Sequence, residues 1–366
     1  MNPFQTTADE GLCVLAAKHF RQQAQRLSAQ FEGIRAAEDI ECIHRARVAS
    51  RRLRAGLRMF QDHLQPEVYR RWRKHIRRVT SGLGDARDKD VQIEFLCRAF
   101  CELHEASLFP GVARLLADLE KQRERVQPKV VEAVDRIERS RVLDEMQAAL
   151  KEVRGTGKSD KAVSRSAAVY REAEQRINAQ LEELLGHEGG LADPSASAEH
   201  HAMRIAAKRL RYTIEIVKPV YDKSLDAMLK AVKRIQTLLG DIHDCDVWAE
   251  RLDVFAERQR QRIIDRFGHE GPYARLAVGI RHLQDARAHD RKALFCELAG
   301  YWAELTRQGA WDELRRLARA PGEREETPPG EESPQSSPCS QNGRGEGGNG
   351  RSLQAIVAAC ADNLKV

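Results

Sequence analysis

The sequence predicts an all-α protein, and three observations support this prediction. Apolar residues recur three and four positions apart over most of the chain, which is the spacing of amphipathic helices. No segment shows the alternation of apolar and polar residues that is typical of a half-buried strand. Residues that start helices lie at the ends of the periodic segments, such as Pro66, which suits the first turn of a helix.

The composition excludes several classes of protein. With 366 residues, of which 42% are apolar, the chain can form more than one core. No apolar run approaches the roughly 18 residues of a membrane-spanning helix, and the N-terminus lacks the order of a secretory signal. The eight cysteines include no CxxC pair, which favours reduced thiols over disulfides or a zinc site. We therefore expect a cytoplasmic protein without a membrane segment.

The helices of the first half can be placed from their ends and periodicity. Thr7 to Glu10 fit a capping box for the first helix, and a further helix begins near Asp88, where Asp88 and Asp90 suit the N-terminus. Apart from the helix that begins near Asp88, the predicted helices run over about residues 10–33, 39–64, 66–84, 110–137 and 140–151.

A ladder of basic side chains follows one face of the second predicted helix. At 100° per residue its members fall within an arc of roughly 80°, beside the apolar face. The ladder consists of His44, Arg47, Arg51, Arg54 and Arg58. Residues 44–78 contain twelve Lys or Arg and two acids, a surplus larger than the net +6 of the whole chain. Since like charges at this spacing repel, we expect acidic side chains or an anionic ligand to neutralise the ladder.

The ladder recurs in the second half of the chain. Residues 201–211 match residues 44–54, and residues 232–241 match residues 76–85. In the same register, Arg87, Asp88 and Asp90 correspond to His243, Asp244 and Asp246. Matches in the same order predict an internal duplication.

The duplication divides the chain into four predicted segments. Residues 8–152 form the first helical repeat and residues 163–319 the second, with a hinge near 154–161. Residues 320–351 are rich in Pro, Gly, Ser and Glu, which predicts a disordered linker. Residues 352–366 place apolar side chains on one helical face. They predict a short amphipathic helix, either docked on a protein partner or frayed.

The ladders favour a phosphate-rich ligand, because Lys and Arg make charge-assisted contacts with phosphate oxygens. Few aromatic residues accompany them to stack bases, so a polyanion without bases is favoured over nucleic acid. Duplex nucleic acid remains an alternative, because its outer surface is also phosphate. His44 and His201 share one ladder position, and their cationic neighbours favour phosphate contact or helix packing over metal binding.

The segments 84–90 and 240–246 superficially resemble metal loops but lack the length of an EF-hand loop. We interpret each as a glycine helix stop followed by capping aspartates that hold nearby Arg or Lys side chains. The chain contains no nucleophile elbow, phosphate-binding loop or dinucleotide fingerprint. Catalysis is therefore not expected, and a metal-dependent phosphohydrolase acting through the histidines and aspartates is kept as an alternative.

These motifs resemble the CHAD domain, the conserved histidine α-helical domain. The resemblance rests on HxxRVxxRRLR at 44–54 with its partner at 201–211, and on LGxx(R/H)DxDV at 83–91 and 239–247. It covers about residues 8–319. The resemblance implies two pseudo-symmetric four-helix bundles, with a basic groove or pore between them that binds inorganic polyphosphate. It also implies association with polyphosphate granules.

The resemblance implies a set of ligand contacts, and no cofactor. In the first repeat these are His44, Arg47, Arg51, Arg54, Lys74, Arg77 and Arg78, to which Arg58 adds the end of the ladder. Their partners are His201, Arg204, Lys208, Arg211, Lys230, Lys233 and Arg234. Lys208 replaces an arginine, Glu215 stands where the first repeat has Arg58, and His243 replaces Arg87. We therefore expect the second half to be the weaker half of the site.

Overall fold

The structure is a computed structural model that describes residues 2–37, 39–153 and 165–321. In these residues the chain is α-helical apart from turns and short 3-10 segments. The β-structure in the same residues is one isolated bridge between Phe4 and Leu64. The predicted all-α class is confirmed. The predicted hinge, C-terminal helix and nearly all of the predicted linker lie outside the described residues.

The first half contains seven described helices. They are α1 (Glu10–Ser28), α2 (Phe31–Ala36), α3 (Ile40–Met59), α4 (Pro66–Gly82), α5 (Gly84–Cys101), α6 (Phe109–Arg139) and α7 (Val142–Val153). The Asp9 carboxylate accepts a hydrogen bond from the Leu12 amide and caps α1. The first helix was expected to reach residue 33, but it ends at Ser28, and the short α2 ends at Ala36 and is followed by Ala37, whose φ is 56°.

The second half contains five described helices. They are α8 (Ala167–Leu185), α9 (Ser197–Val217), α10 (Asp226–Phe267), α11 (Ala274–Arg307) and α12 (Ala310–Ala318). The expected glycine helix stops are wrong at both motifs, because Gly84 begins α5 and Gly240 lies inside α10. The described glycines with positive φ, which can end a helix in the left-handed region, are Gly268 and Gly309.

The same helix pairings occur in both halves. In the first half α1 packs on α3 and α7, and α3 packs on α4; in the second half α8 packs on α9 and α12, and α9 packs on α10. The halves meet where α3 packs on α9 and α6 packs on α11. These pairings are those that a duplication would produce. The duplication, the division into four segments and the two four-helix bundles stay predictions from the sequence.

Two clusters of buried apolar side chains hold the helices together. The larger cluster includes Phe20 and Trp72, whose rings make an edge contact with centroids 5.4 Å apart. The smaller cluster lies where α5, α6, α10 and α11 converge, and it includes Trp248 and Phe255. Since each cluster draws side chains from both halves, burial of apolar surface fixes one half against the other.

Two glycines set the distance between α6 and α11. A Cβ atom on Gly111 would lie 2.3 Å from the Leu276 carbonyl oxygen, and one on Gly279 would lie 2.1 Å from the Leu108 carbonyl oxygen. Any side chain at either position would therefore force the two backbones apart. None of the helices in the described part of the chain is both long and apolar enough to span a membrane.

Candidate anion-binding site

A cavity of about 640 Å³ lies between α3 and α5 of the first half and α9 and α10 of the second. Cationic side chains outnumber carboxylates two to one in its lining. The cations are Arg47, Arg51, Arg87, Lys89, Arg204 and Arg251, the carboxylates are Asp85, Asp88 and Asp244, and the imidazoles are His44 and His243. The lining therefore favours an anionic ligand.

Helix α3 places the first ladder along the cavity and beyond it. Arg47 and Arg51 line the cavity one turn apart, while Leu53 faces the core and is fully buried. Arg54 and Arg58 continue the ladder as exposed residues. Within the described ranges, Arg51, Arg54 and Arg58 form no ion pair with a carboxylate. Of the two predicted means of neutralisation, acidic side chains or an anionic ligand, the anionic ligand is the one that stays open for these three arginines.

Arg47 is held against the start of α5. Its Nη2 atom lies 3.2 Å from Oδ1 of Asp88. A Cβ atom on Gly84 would lie 2.8 Å from Nη1 of Arg47, so the absence of a side chain at Gly84 allows this approach. Gly240, the matching residue of the second half, has no such neighbour within 4 Å.

Helix α9 places the second ladder beside the same cavity. Arg204 lines the cavity, and Lys208 follows one turn later as a partly buried residue. Desolvation lowers the pKa of Lys208 to about 8, with a further contribution from Arg51, Arg204, Arg54 and Arg58. Cations of both ladders therefore repel one another across the contact between α3 and α9.

Three further cations of the second half, Arg211, Lys233 and Arg234, are paired with acids. Glu215 lies within 4 Å of Arg211, Lys233 and Arg52. Arg234 forms an ion pair with Glu297 on α11. These pairs leave fewer unpaired cations in the second half, and its being the weaker half of the site stays a prediction. His201 and Lys230 are exposed and lie outside the lining of the cavity.

A shallow hollow of about 430 Å³ on α4 adds a third group of cations, which we call the α4 hollow. Its lining consists of Arg70, Arg73, Lys74, Arg77, Arg78 and Ser81. All five cations are exposed, and in the described structure none has a carboxylate within ion-pair distance. Arg77 and Arg73 are close enough to Arg54 to lower the pKa of its guanidinium, after desolvation as the main cause. The cations of the α4 hollow and those of the first ladder therefore form one positively charged surface.

The histidines differ in their surroundings. Desolvation and the nearby Arg87 lower the pKa of His44, and the rings of His201 and His243 have centroids 4.8 Å apart. His200 has a structural role, because its Nε2 atom lies 2.9 Å from the Gly190 carbonyl oxygen in the core. Among the described residues no group of three or more His, Cys, Asp or Glu is arranged to hold a metal ion.

The segments LGxx(R/H)DxDV at 83–91 and 239–247, which we call the LGD motifs, contain aspartates with two roles. Asp90 accepts a hydrogen bond from Arg123 on α6, and Asp246 accepts one from Arg291 on α11. These residues hold arginines as expected, but they join neighbouring helices and do not cap a helix start. Asp244 faces the cavity, where desolvation raises the pKa of its carboxyl to about 6.

Sequence reasoning missed a part of the cavity lining. Arg87, Asp88, His243 and Asp244 belong to the LGD motifs, which were interpreted as structural. The signal that could have identified them is the repeat, because both motifs recur together with both ladders. Lys89 and Arg251 carry no repeated pattern and could not have been found in this way.

Comparisons with known proteins agree with the sequence motifs. A model of the CHAD domain family matches residues 18–253. The crystal structure of the CHAD domain from the plant Ricinus communis superposes with a TM-score of 0.54 at 21% identity, covering 87% of this chain and 97% of that one. This likeness shows a common fold. No curated protein matches the sequence significantly. Because the family model matches more than half of its length, the chain belongs to the CHAD domain family.

Proposed function

We propose that this protein binds inorganic polyphosphate without catalysing its conversion, in the cytoplasm and at polyphosphate granules. The observation that carries the proposal is a group of neighbouring cations that form no ion pair with a carboxylate in the described structure. It consists of Arg51, Arg54 and Arg58 of the first ladder, Arg204 and Lys208 of the second, and the α4 hollow. Its charges repel one another, and a polyanion would remove that repulsion.

Nucleic acid fits this surface less well than polyphosphate. Proteins that bind single strands stack bases on exposed aromatic rings. Near the ladders, however, Trp72 is 1% exposed and Tyr212 is 8% exposed. Competition between polyphosphate and duplex DNA at one salt concentration separates the two ligands. We expect polyphosphate to displace DNA, and the reverse order would favour a nucleic-acid-binding function.

The central experiment is a titration with polyphosphate of defined length. Affinity should fall steeply as salt rises, because binding releases counterions from the polyanion. Arg51→Glu with Arg54→Glu should abolish most of the binding, whereas Arg136→Glu with Arg139→Glu is the matched control on an exposed face of α6. Equal effects of the two double variants, or an affinity independent of salt, would exclude binding at this surface.

The enzyme alternative has its own test. Incubation with polyphosphate, with and without a chelator, should release no inorganic phosphate. Release that depends on a divalent cation would replace the binding function with a phosphohydrolase.

A further inference from the structure

Glu215 is an acid at the end of the second ladder. It lies on α9 two turns after Lys208, at the position that matches Arg58 of the first ladder. At Arg58 the first ladder continues as a free cation, whereas at Glu215 the second ladder changes sign. The side chain is 15% exposed, so water screens its charge only in part.

The contacts of Glu215 are unusual in their lengths. Its Oε1 atom lies 3.5 Å from Nε of Arg211 and 3.6 Å from Nζ of Lys233, and its Oε2 atom lies 3.4 Å from Nη2 of Arg52. Neither Oε2 of Glu215 nor Nε of Arg211 has a hydrogen-bond partner. Glu215 is thus a shared counter-ion of three cations at distances longer than a charge-assisted hydrogen bond of about 2.7–2.9 Å.

Such an arrangement can be displaced by a ligand. A phosphate oxygen can approach Lys233, whose side chain is 49% exposed, to hydrogen-bond distance, which the carboxylate does not reach in the structure. While the carboxylate remains, it repels a polyanion that extends along α9. In the first half, Arg58 and the cations of the α4 hollow form no ion pair with a carboxylate within the described residues, and the acid that attracts Arg58, Glu183, already pairs with Arg209.

We propose that Glu215 is an internal competitor of the polyanion: it occupies the second-half branch of the site and confines the ligand to the cavity, the first ladder and the α4 hollow. This inference rests on the proposed function and adds the direction in which the bound polyphosphate chain runs over the protein. The bound chain extends from the cavity toward α4, and the stretch of α9 beyond Lys208 stays closed. Glu215 therefore limits the length of chain that the site engages.

The test is Glu215→Gln, which keeps the shape of the side chain and removes its charge. With long-chain polyphosphate we expect affinity to rise about fivefold, which corresponds to about 1 kcal/mol. The slope of log affinity against log salt should grow by about one unit. A short chain that fills only the cavity and the first half should change less than about twofold. The control is Glu270→Gln, because Glu270 also pairs with an arginine, Arg260 of α10, and lies outside the cavity.

A second variant separates competition from a structural effect. Lys233→Gln should weaken long-chain binding more strongly in the Glu215→Gln background than in the natural chain, because only there is Lys233 free to bind phosphate. Equal losses in both backgrounds would overturn the inference, as would weaker long-chain binding by Glu215→Gln with an unchanged melting temperature. Absence of polyphosphate binding by the natural chain would instead overturn the proposed function.

Discussion

Lys208 shows how the site changes the chemistry of a single residue. Desolvation by burial lowers its pKa to about 8, with a further contribution from Arg51, Arg54 and Arg58 on α3 and Arg204 on its own helix. The ammonium group is therefore about half protonated at that pH and almost fully charged only one to two pH units lower. A bound polyanion would offset the repulsion and raise the pKa of Lys208, so binding near pH 8 should take up about half a proton at most.

Polyphosphate affinity should accordingly fall as pH rises from about 7 to 9, through the pKa of Lys208. Lys208→Arg should flatten this fall, because a guanidinium stays protonated throughout the range. Calorimetric titrations in buffers of different ionisation enthalpy measure both the affinity and the proton uptake. The control is Lys230→Arg, at an exposed lysine outside the cavity. A full fall retained by Lys208→Arg would show that other groups titrate.

Gly84 and Gly240 are matching residues with different surroundings. Gly84→Ala should displace the Arg47 guanidinium, which a Cβ atom would approach to 2.8 Å, and weaken polyphosphate binding about threefold. Gly240→Ala has open space and lies within a helix, so it should stabilise the protein by about 0.5–1 kcal/mol and leave binding unchanged. Polyphosphate titration and chemical denaturation of both variants measure these effects. Equal binding by the two variants would contradict the role given to Gly84.

At the scale of helices, the contact between α6 and α11 joins the two halves of the chain beside the smaller apolar cluster. Backbone atoms of each helix lie within 2.4 Å of where a Cβ atom on the other would stand. The smaller apolar cluster packs beside this contact and includes Trp248, which also lines the cavity. The close packing of α6 and α11 therefore supports one wall of the site.

Gly279→Ala should lower the free energy of unfolding by about 1–3 kcal/mol, because two helix backbones must separate to admit the methyl group. Gly300→Ala is the control on the same helix, since nothing lies within 4 Å of a Cβ atom there. It should be neutral or stabilising. Chemical denaturation measures both, and similar stabilities of the two variants would show that the helices adjust without strain.

At the scale of the whole molecule, the cavity belongs to neither half alone. Its cations include Arg47 and Arg51 from α3 and Arg204 from α9. A long polyanion should therefore contact both ladders at once, as one ligand on one site.

Arg47→Glu with Arg51→Glu, and separately Arg204→Glu with Lys208→Glu, should each weaken long-chain binding severely at unchanged stoichiometry. The first pair should be the more severe, because the first half carries more unpaired charge. Calorimetry with long-chain polyphosphate measures both quantities. Two independent sites would instead halve the stoichiometry and leave the affinity of the remaining site intact.

The sequence alone determined the helical class and the side of each helix that carries charge. Periodicity is local, so the positions of Arg47 and Arg51 beside Leu53 follow from the turn of one helix. Cap residues are local as well, which is why α3 and α4 begin within a residue of their predicted starts. The family likewise follows from motifs that are contiguous in the chain.

The tertiary structure decided which charges are free. Glu215 reaches Arg52, and Glu145 reaches Arg71, across sequence separations that no local pattern encodes. The glycines of the two LGD motifs were expected to stop helices, and packing placed Gly84 against an arginine instead. Periodicity reports the direction of a side chain from its own helix, whereas its electrostatic partner depends on where other helices lie. The packing of the helices therefore decides which cations stay unpaired, and with that the direction in which the proposed binding site extends.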